Sequence, residues 1–554
     1  MLIHFPYRLF FCGIFCCCLA LAHAQTPTGT APTPVRKLTH LIISDSEAKV
    51  LALKPASNTG PVITQDIPIL ATKEFAEFIA PYIGKPITTE LLNRLAADIG
   101  TYFQKHDRPV ISLQIPVQSI ASGEFRIVIV VGRYEQLKFT GNRWFSRELL
   151  EAKLGIKPGD EIRLSTLEEA VNWSNANPFR HIQVVLNNLP AHASAKELVV
   201  VTQERIPLRV ASVYDNAGTT LLGENRYSAA FQFGNMWGLD HQASYQFTTT
   251  DHSHIFQSHS ADYRIPLPWR HYLQATASYG FQKPSFAEGL FNLKGESLVT
   301  DLRYLIPVER GSWSFEFSAG IDFKRTNNNL EFGGYQVFNT KSHIWQVTMG
   351  TTTVHRDTLG TWAISLSLNA SPGNIDAKNT NGTFGEVRFN AKAQYLAGSL
   401  LLQRLTKLPA DFQLYSRSLL QRASTNLLSS EQFSIGGQGT VRGYDERIFS
   451  GDQGCMISNE LQGPQWTQVI PFLAPKASPL KTRPLIFWDY AKASYKHGSI
   501  SDIRLDPLMS AGIGLRCNIA ANFSLSADYG WQLLKTSRPQ PNHGRGHIQA
   551  MLAF

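Results

Sequence analysis

Charge is scarce in this chain. Of its 554 residues only 17% are Asp, Glu, Lys or Arg, where ~25% is usual for soluble domains. The formal net charge of +9 is spread along the chain, and no basic run marks a nucleic-acid surface. Long hydrophobic runs are also missing. Past the first two dozen residues no stretch reads as the ~20 apolar residues of a spanning helix, and the mean hydropathy is close to neutral. A helical membrane protein is thereby excluded. Reaction motifs are absent: there is no His-Glu-x-x-His and no Gly-x-Ser-x-Gly. The sixteen histidines show no ligand-like spacing. An enzyme is the least favoured class, and no cofactor, metal or nucleic acid is expected.

Cysteine is nearly absent once the start of the chain is set aside. Arg8 precedes an apolar run from Leu9 to Leu21, and Ala22-His23-Ala24 forms a small-x-small cleavage site before Gln25. This pattern is a secretory signal peptide over 1–24. The run is too short for a membrane anchor, and the bulky Ile14 and Phe15 ahead of Cys16 argue against a lipoprotein signal. Cleavage leaves Cys455 and Cys517, too few for a disulfide framework. What is abundant is aromatic side chain, at 11%. An exported, aromatic-rich chain without spanning helices is either soluble outside the cytoplasm or a barrel of the outer membrane.

Residues 25–37 are Thr/Pro-rich and read as an extended linker. From 38 to 132 the pattern predicts a strand at Leu41-Ile42-Ile43 and, after an irregular insertion, a helix over 72–82. A second helix starts at Thr88, with Ile87 and Leu92 as a hydrophobic staple and Leu92, Leu95, Ile99 and Tyr102/Phe103 at helical spacing. Strands over 110–115 and 125–131 complete a β-α-α-β-β unit. The order then repeats over 133–206: a strand through Leu137 and Phe139, a helix capped by Ser146, a helix opened by a Ser165/Glu168 capping box, and strands over 181–189 and 197–202.

From 207 to 554 helical spacing gives way to alternation. Trp313, Phe315, Phe317, Ala319, Ile321 and Phe323 share one face of a strand, opposite Ser314, Glu316, Ser318, Gly320, Asp322 and Lys324. Phe523, Leu525, Ala527, Tyr529 and Trp531 repeat the pattern against Ser524, Ser526, Asp528 and Gly530. Such strands continue to the C-terminus, separated by polar turn segments such as 326–329 and 379–382. At roughly 20 residues per strand with its connection, this length suits a transmembrane barrel of sixteen strands, apolar face to lipid and polar face to a wet lumen. The last residues, Ile548, Ala550, Leu552 and Phe554, alternate and close on an aromatic.

Within the barrel, Ser434 to Glu446 carries four glycines in eight residues, which suits neither helix nor strand. It has no Gly-Lys-Ser/Thr and no Gly-x-Gly-x-x-Gly spacing, so a phosphate cradle is excluded. Alone, it reads as a surface loop with a solvated Arg442. In 484–495, Ile486, Trp488 and Tyr490 share one face while Leu485, Phe487, Asp489 and Ala491 share the other. Aromatics suit lipid, which turns Asp489 toward the lumen.

Signal peptide, two β-α-α-β-β units and C-terminal barrel together resemble the two-partner secretion transporters of haemolysin-secretion type. These belong to the outer-membrane superfamily that carries POTRA (polypeptide-transport-associated) domains. The resemblance rests on Ile115-Pro116-Val117-Gln118 with Gly123, Asn177-Pro178-Phe179-Arg180, Tyr214-Asp215-Asn216-Ala217-Gly218 and Pro266-Leu267-Pro268-Trp269. Its most specific part is Val441-Arg442-Gly443-Tyr444, which matches the superfamily's loop that folds back into the lumen, here around 434–454. The wall motif that faces this loop is matched at Phe487 and Asp489 but departs at Ala491, where glycine is usual. The resemblance implies that Arg442 pairs with Asp489, with Gly443 allowing the turn and Tyr444 packed beside the pair. It implies an outer-membrane location in a Gram-negative bacterium, POTRA domains in the periplasm, and assembly by the barrel-assembly machinery. The implied partner is an unfolded exoprotein of adhesin or cytolysin type, captured by the POTRA domains and passed through the barrel. The short Pro-rich 25–37 does not resemble a plug helix. A barrel-assembly insertase of the same superfamily is the alternative, although it should carry more POTRA domains. A passive porin would leave the N-terminal third unexplained.

Overall fold

The structure is a computed structural model that describes residues 36–55, 60–64, 66–189, 192–283, 285–286, 291–332, 335–469, 479–498, 503–538 and 543–554. The expected signal peptide, and the Thr/Pro-rich linker up to residue 35, lie outside the described residues. The chain divides into two compact units, Met1–Arg205 and Ile206–Phe554.

The first unit holds two small α+β domains. In the first, the strands run in the order Val62–Thr64, His40–Ser44, Glu124–Val131, Ile111–Gln114. His40–Ser44 lies parallel to both its neighbours. Leu41 and Ile43, two residues apart on one face, meet Leu95, Ile99 and Phe103 of the helix Thr89–Lys105 in a fully buried core. Thr88 caps that helix through the Leu91 N–H at 3.1 Å. The insertion after Ser44 is more ordered than its irregular composition suggests. It forms the helix Glu47–Ala52 and the edge strand Val62–Thr64, so Ile42, on the other face of the sheet, is buried against Val50.

The second domain has a three-stranded sheet, Arg133–Thr140, His192–Glu204, Arg180–Leu189, covered by helices Arg147–Leu154 and Leu164–Ser174. Ser146 caps the first helix, accepting from Leu149 N at 3.2 Å. The capping box expected at Ser165 and Glu168 is not formed. Ser165 lies inside the helix, and its N–H donates 2.7 Å to Asp107 of the preceding domain, while its hydroxyl bonds the other oxygen of the same carboxylate. A full carboxylate from outside the helix outcompetes a local hydroxyl for the free first-turn donors.

The second unit is a closed barrel of sixteen antiparallel strands, extended by the short pieces Ser285–Phe286 and Trp466–Gln468. Leu208–Asp215 begins it and Gly544–Ala553 closes onto that first strand. Phe317 and Ile321 open outward, as do Ile486 and Trp488. On the inner face Asp322 is buried between Gln346 Nε2 (2.7 Å) and Thr348 Oγ1 (2.8 Å). The polar segment 379–382, expected as a turn, starts the short helix Asn381–Val387, capped by Thr380 through Thr383 N at 3.2 Å. Its Phe384 is buried against Ile344, Tyr395 and Leu427, and that apolar contact is what turns a turn-prone segment into a helix. Among the described residues no helix is long and apolar enough to cross a membrane.

Candidate functional site

The glycine-rich segment lies on a two-stranded hairpin. Phe433–Ile435 pairs with Phe449–Gly451, and Ser434 and Ser450 share a hydroxyl–hydroxyl bond of 2.8 Å. Phe433, Ile435, Val441, Ile448 and Phe449 form an apolar cluster with Met456, Ala491, Ala493 and Leu508 of the wall. A loop rich in glycine has little side chain of its own to bury, so this hairpin stem supplies the apolar area that seats it. Ala491, where glycine is usual, is fully buried in the same cluster, so its methyl fills the contact and does not prop the loop away.

At the tip, Arg442 is only 4% exposed, which overturns the reading of a solvated surface arginine. Its Nε and Nη2 donate to the two oxygens of Asp489 at 2.8 and 2.9 Å, and its backbone N–H adds a third bond of 3.1 Å to the same carboxylate. Nη1 donates to Glu460 at 2.6 Å and lies 3.5 Å from Asp528, while Nη2 also reaches Ser458 Oγ at 3.3 Å. Every nitrogen of the guanidinium therefore faces an acceptor, which is what a buried cation requires. The Phe487 ring stacks beneath it, 3.5 Å from Cζ to the centroid, a cation–π geometry. Arg516 continues the network, reaching Asp528 at 2.6 Å and Glu460 at 3.1 Å. Two arginines and three carboxylates thus form one inward-facing cluster.

Close approach of loop and wall depends on glycine. Gly443 has φ of 90°, a region open to glycine without strain, and a Cβ there would come within 2.6 Å of the Gly530 carbonyl oxygen. A Cβ on Gly530 would in turn meet the Arg442 carbonyl carbon at 2.7 Å. The Gly443 N–H donates 3.1 Å to Nε2 of the buried His547, so that nitrogen must be the unprotonated one, and Gln532 Nε2 donates 2.6 Å to the Gly443 carbonyl. Tyr444 is fully buried in the same apolar cluster as Val441. Its hydroxyl donates toward Leu534 O at 2.7 Å with Met509 O at 3.0 Å, pinning the turn to the strand Leu508–Ile519 and to the segment just after Phe523–Gln532.

The structure therefore brings Val441, Arg442, Gly443, Tyr444, Phe487 and Asp489 into one site. Sequence reasoning missed Glu460, Arg516, Asp528, Gln532 and His547. It also missed a second hub. Asp452, fully buried, accepts from both Nη1 and Nη2 of Arg388, from Leu427 N at 2.8 Å and from Lys496 N at 2.9 Å. It ties three connecting loops together at the end of the barrel away from Phe554. Cys455 and Cys517 are free thiols.

Comparison with known proteins agrees with this architecture. Residues 195–517, more than half of the chain, match the family described as haemolysin secretion/activation protein ShlB/FhaC/HecB. The chain is 21% identical over 407 residues to the outer membrane transporter CdiB of Dickeya dadantii, covering 72% of this chain and 71% of that protein. It is 22% identical over 487 residues to the heme/hemopexin transporter protein HuxB of Haemophilus influenzae, covering 82% and 80%. Among solved structures, CdiB from Escherichia coli aligns with a TM-score of 0.72 over 96% of this chain and 93% of that one, at 15% identity. CdiB from Acinetobacter baumannii aligns at 0.62 over 95% and 91%, also at 15% identity. An inward loop held in a sixteen-stranded barrel, two small α+β domains ahead of it and a family match over most of that barrel lead to one conclusion: the chain belongs to the haemolysin secretion/activation family, the outer-membrane transporters of two-partner secretion.

Proposed function

We propose that the POTRA domains capture one unfolded exoprotein in the periplasm by adding its extended chain to a sheet edge, and that the barrel then conducts it to the surface. The observation that carries the capture step is the strand Arg180–Leu189, which stands at the edge of its three-stranded sheet with Val185 half exposed. An edge strand offers unpaired N–H and C=O groups that an extended peptide satisfies, with alternate side chains giving specificity. The cargo is of adhesin or cytolysin type, and its folding outside the cell supplies the direction of transport. No reaction chemistry is assigned to the chain. The Arg442–Asp489 pair holds the inward loop in the position that transport starts from.

The test is a photo-crosslinking side chain at Val185 in cells making both proteins. Capture at this edge predicts an adduct with the exoprotein's N-terminal region. An adduct absent at Val185 but present on the opposite edge, Arg133–Thr140, would move the capture site there.

A further inference from the structure

The motif Tyr214-Asp215-Asn216-Ala217-Gly218 takes no part in the lumen site. It stands where the first barrel strand ends against the last. Val210 and Phe554 exchange N–H···O bonds of 3.0 and 2.8 Å. Antiparallel alternation then makes Ser212/Leu552 and Tyr214/Ala550 the hydrogen-bonded pairs. Ala211/Ala553, Val213/Met551 and Asp215/Gln549 are the close, non-hydrogen-bonded pairs of the same register.

At Asn216 the backbone leaves the ladder and the side chain takes over. Asn216 N still donates to Ile548 O at 3.2 Å. The return bond, however, runs from Ile548 N to Asn216 Oδ1 at 2.9 Å, and Asn216 Nδ2 goes on to Gly546 O at 2.9 Å. A carboxamide carries the same acceptor and donor as a peptide unit, so it continues the ladder where no main chain is available. The rest of the motif makes the departure possible. Asp215 Oδ1 accepts from Ala217 N at 3.0 Å and Arg226 Nε at 2.7 Å. Gly218 N donates to Glu224 O at 2.9 Å, and a Cβ there would sit 2.0 Å from Gly223 O.

This seam has five strand-paired positions and the Val210/Phe554 exchange beyond them, against eight and nine strand-paired positions at the junctions on either side. We propose that Asn216 is a side-chain clasp that completes this short junction and keeps the barrel shut while cargo moves along the lumen. The second half of the proposal rests on the export reading above and separates it from insertion through an opened wall.

Two measurements test it. On the purified full chain, Asn216→Leu removes both clasp bonds and should lower the temperature at which the heat-modifiable barrel unfolds by about 2–5 °C. Asn216→Asp keeps the acceptor for Ile548 N, loses the donor, and should fall between. Unchanged melting in both variants overturns the clasp, and this measurement needs no cargo, so its failure is distinct from failure of the export reading. In cells, Val213→Cys with Met551→Cys places two thiols at a close pair whose Cα separation of about 4.5 Å lies within disulfide range. Single-cysteine variants control for Cys455 and Cys517. Secretion at the wild-type level with the seam oxidised supports a closed barrel. Secretion lost on oxidation and restored by a reductant overturns it.

Discussion

Arg442 and Asp489 are not equivalent members of their pair. Removing the arginine side chain strands Asp489, which is 0% exposed, with two neutral donors, Ser458 Oγ at 2.6 Å and the residue-442 backbone N–H at 3.1 Å, in place of its paired cation. Removing the aspartate leaves the guanidinium bonded to Glu460 at 2.6 Å and facing Asp528 at 3.5 Å. Arg442→Ala should therefore weaken loop docking by about 3–5 kcal/mol, and Asp489→Ala by about 1–3 kcal/mol. Limited proteolysis of the 434–452 segment in the folded barrel reads both, and secretion should fall in the same order. The double variant should be no worse than Arg442→Ala, because coupled residues are non-additive; losses that simply add would show the two to be independent. Arg442→Lys keeps the charge but not the planar fork and should lie between wild type and alanine. Arg442 was legible through the resemblance of Val441-Arg442-Gly443-Tyr444 to the family's lumen loop, since its own stretch reads as a solvated surface loop, whereas Asp489 also stood on the inward phase of a strand. Glu460, Arg516 and Asp528 were not, because each is a lone charge on a separate strand. The only available signal was the inward phase itself, in which Asp528 alternates with Ser524, Ser526 and Gly530.

At the scale of the element, one residue both ends a helix and starts another. After Thr89–Lys105 the chain turns through Asp107 at φ 67°, and Arg108 N closes back on Phe103 O at 2.9 Å, a helix stop usually given to glycine. Aspartate stands there because its carboxylate caps Leu164–Ser174 in the next domain. Asp107→Gly relieves the backbone and removes only the cap, worth about 0.5–2 kcal/mol. Amide exchange in the first turn of Leu164–Ser174 should speed up by about tenfold, while the end of Thr89–Lys105 is unchanged. Equal exchange at both sites would mean that the cap carries no energy. A local reading of Ser165 and Glu168 missed this arrangement because the winning acceptor lies 58 residues away. By contrast, Thr88 and Ser146 have no such competitor, and their caps were readable. Gly530→Ala is the matching test on the barrel wall. Its Cβ would collide with the Arg442 backbone, so loop 434–452 should become protease-sensitive while the strand Phe523–Gln532 keeps its place.

For the whole molecule, the two compact units predict separable failures. Deleting residues 38–205 should leave a heat-modifiable barrel in the outer membrane and abolish secretion of the partner. Normal export by the isolated barrel would overturn the recruiting role proposed for the two N-terminal domains. The barrel was visible in the sequence because inside–outside alternation is written into strands such as the one that starts at Trp313, where the solvent differs on the two faces, although the polar 326–329, expected as a turn, continues that strand to Phe332. The helix Asn381–Val387 was hidden because nothing local requires it; its reason is Phe384, buried by strands far along the chain.

The seated loop also bears on the order of assembly. Ser458, Glu460, Asp489 and Asp528, which bond or face the Arg442 guanidinium, all follow it in the chain, and His547, which accepts from Gly443, stands 104 residues after that glycine. The seam instead joins Asn216 to Ile548, 332 residues apart. Contacts between nearby segments close at lower entropic cost and form sooner. The C-terminal wall would then wrap its own loop first, and the long ring closure would come last. On this order the loop is a template around which the final strands line up, and a defect at Arg442 would surface as slow barrel maturation before it surfaced as lost transport.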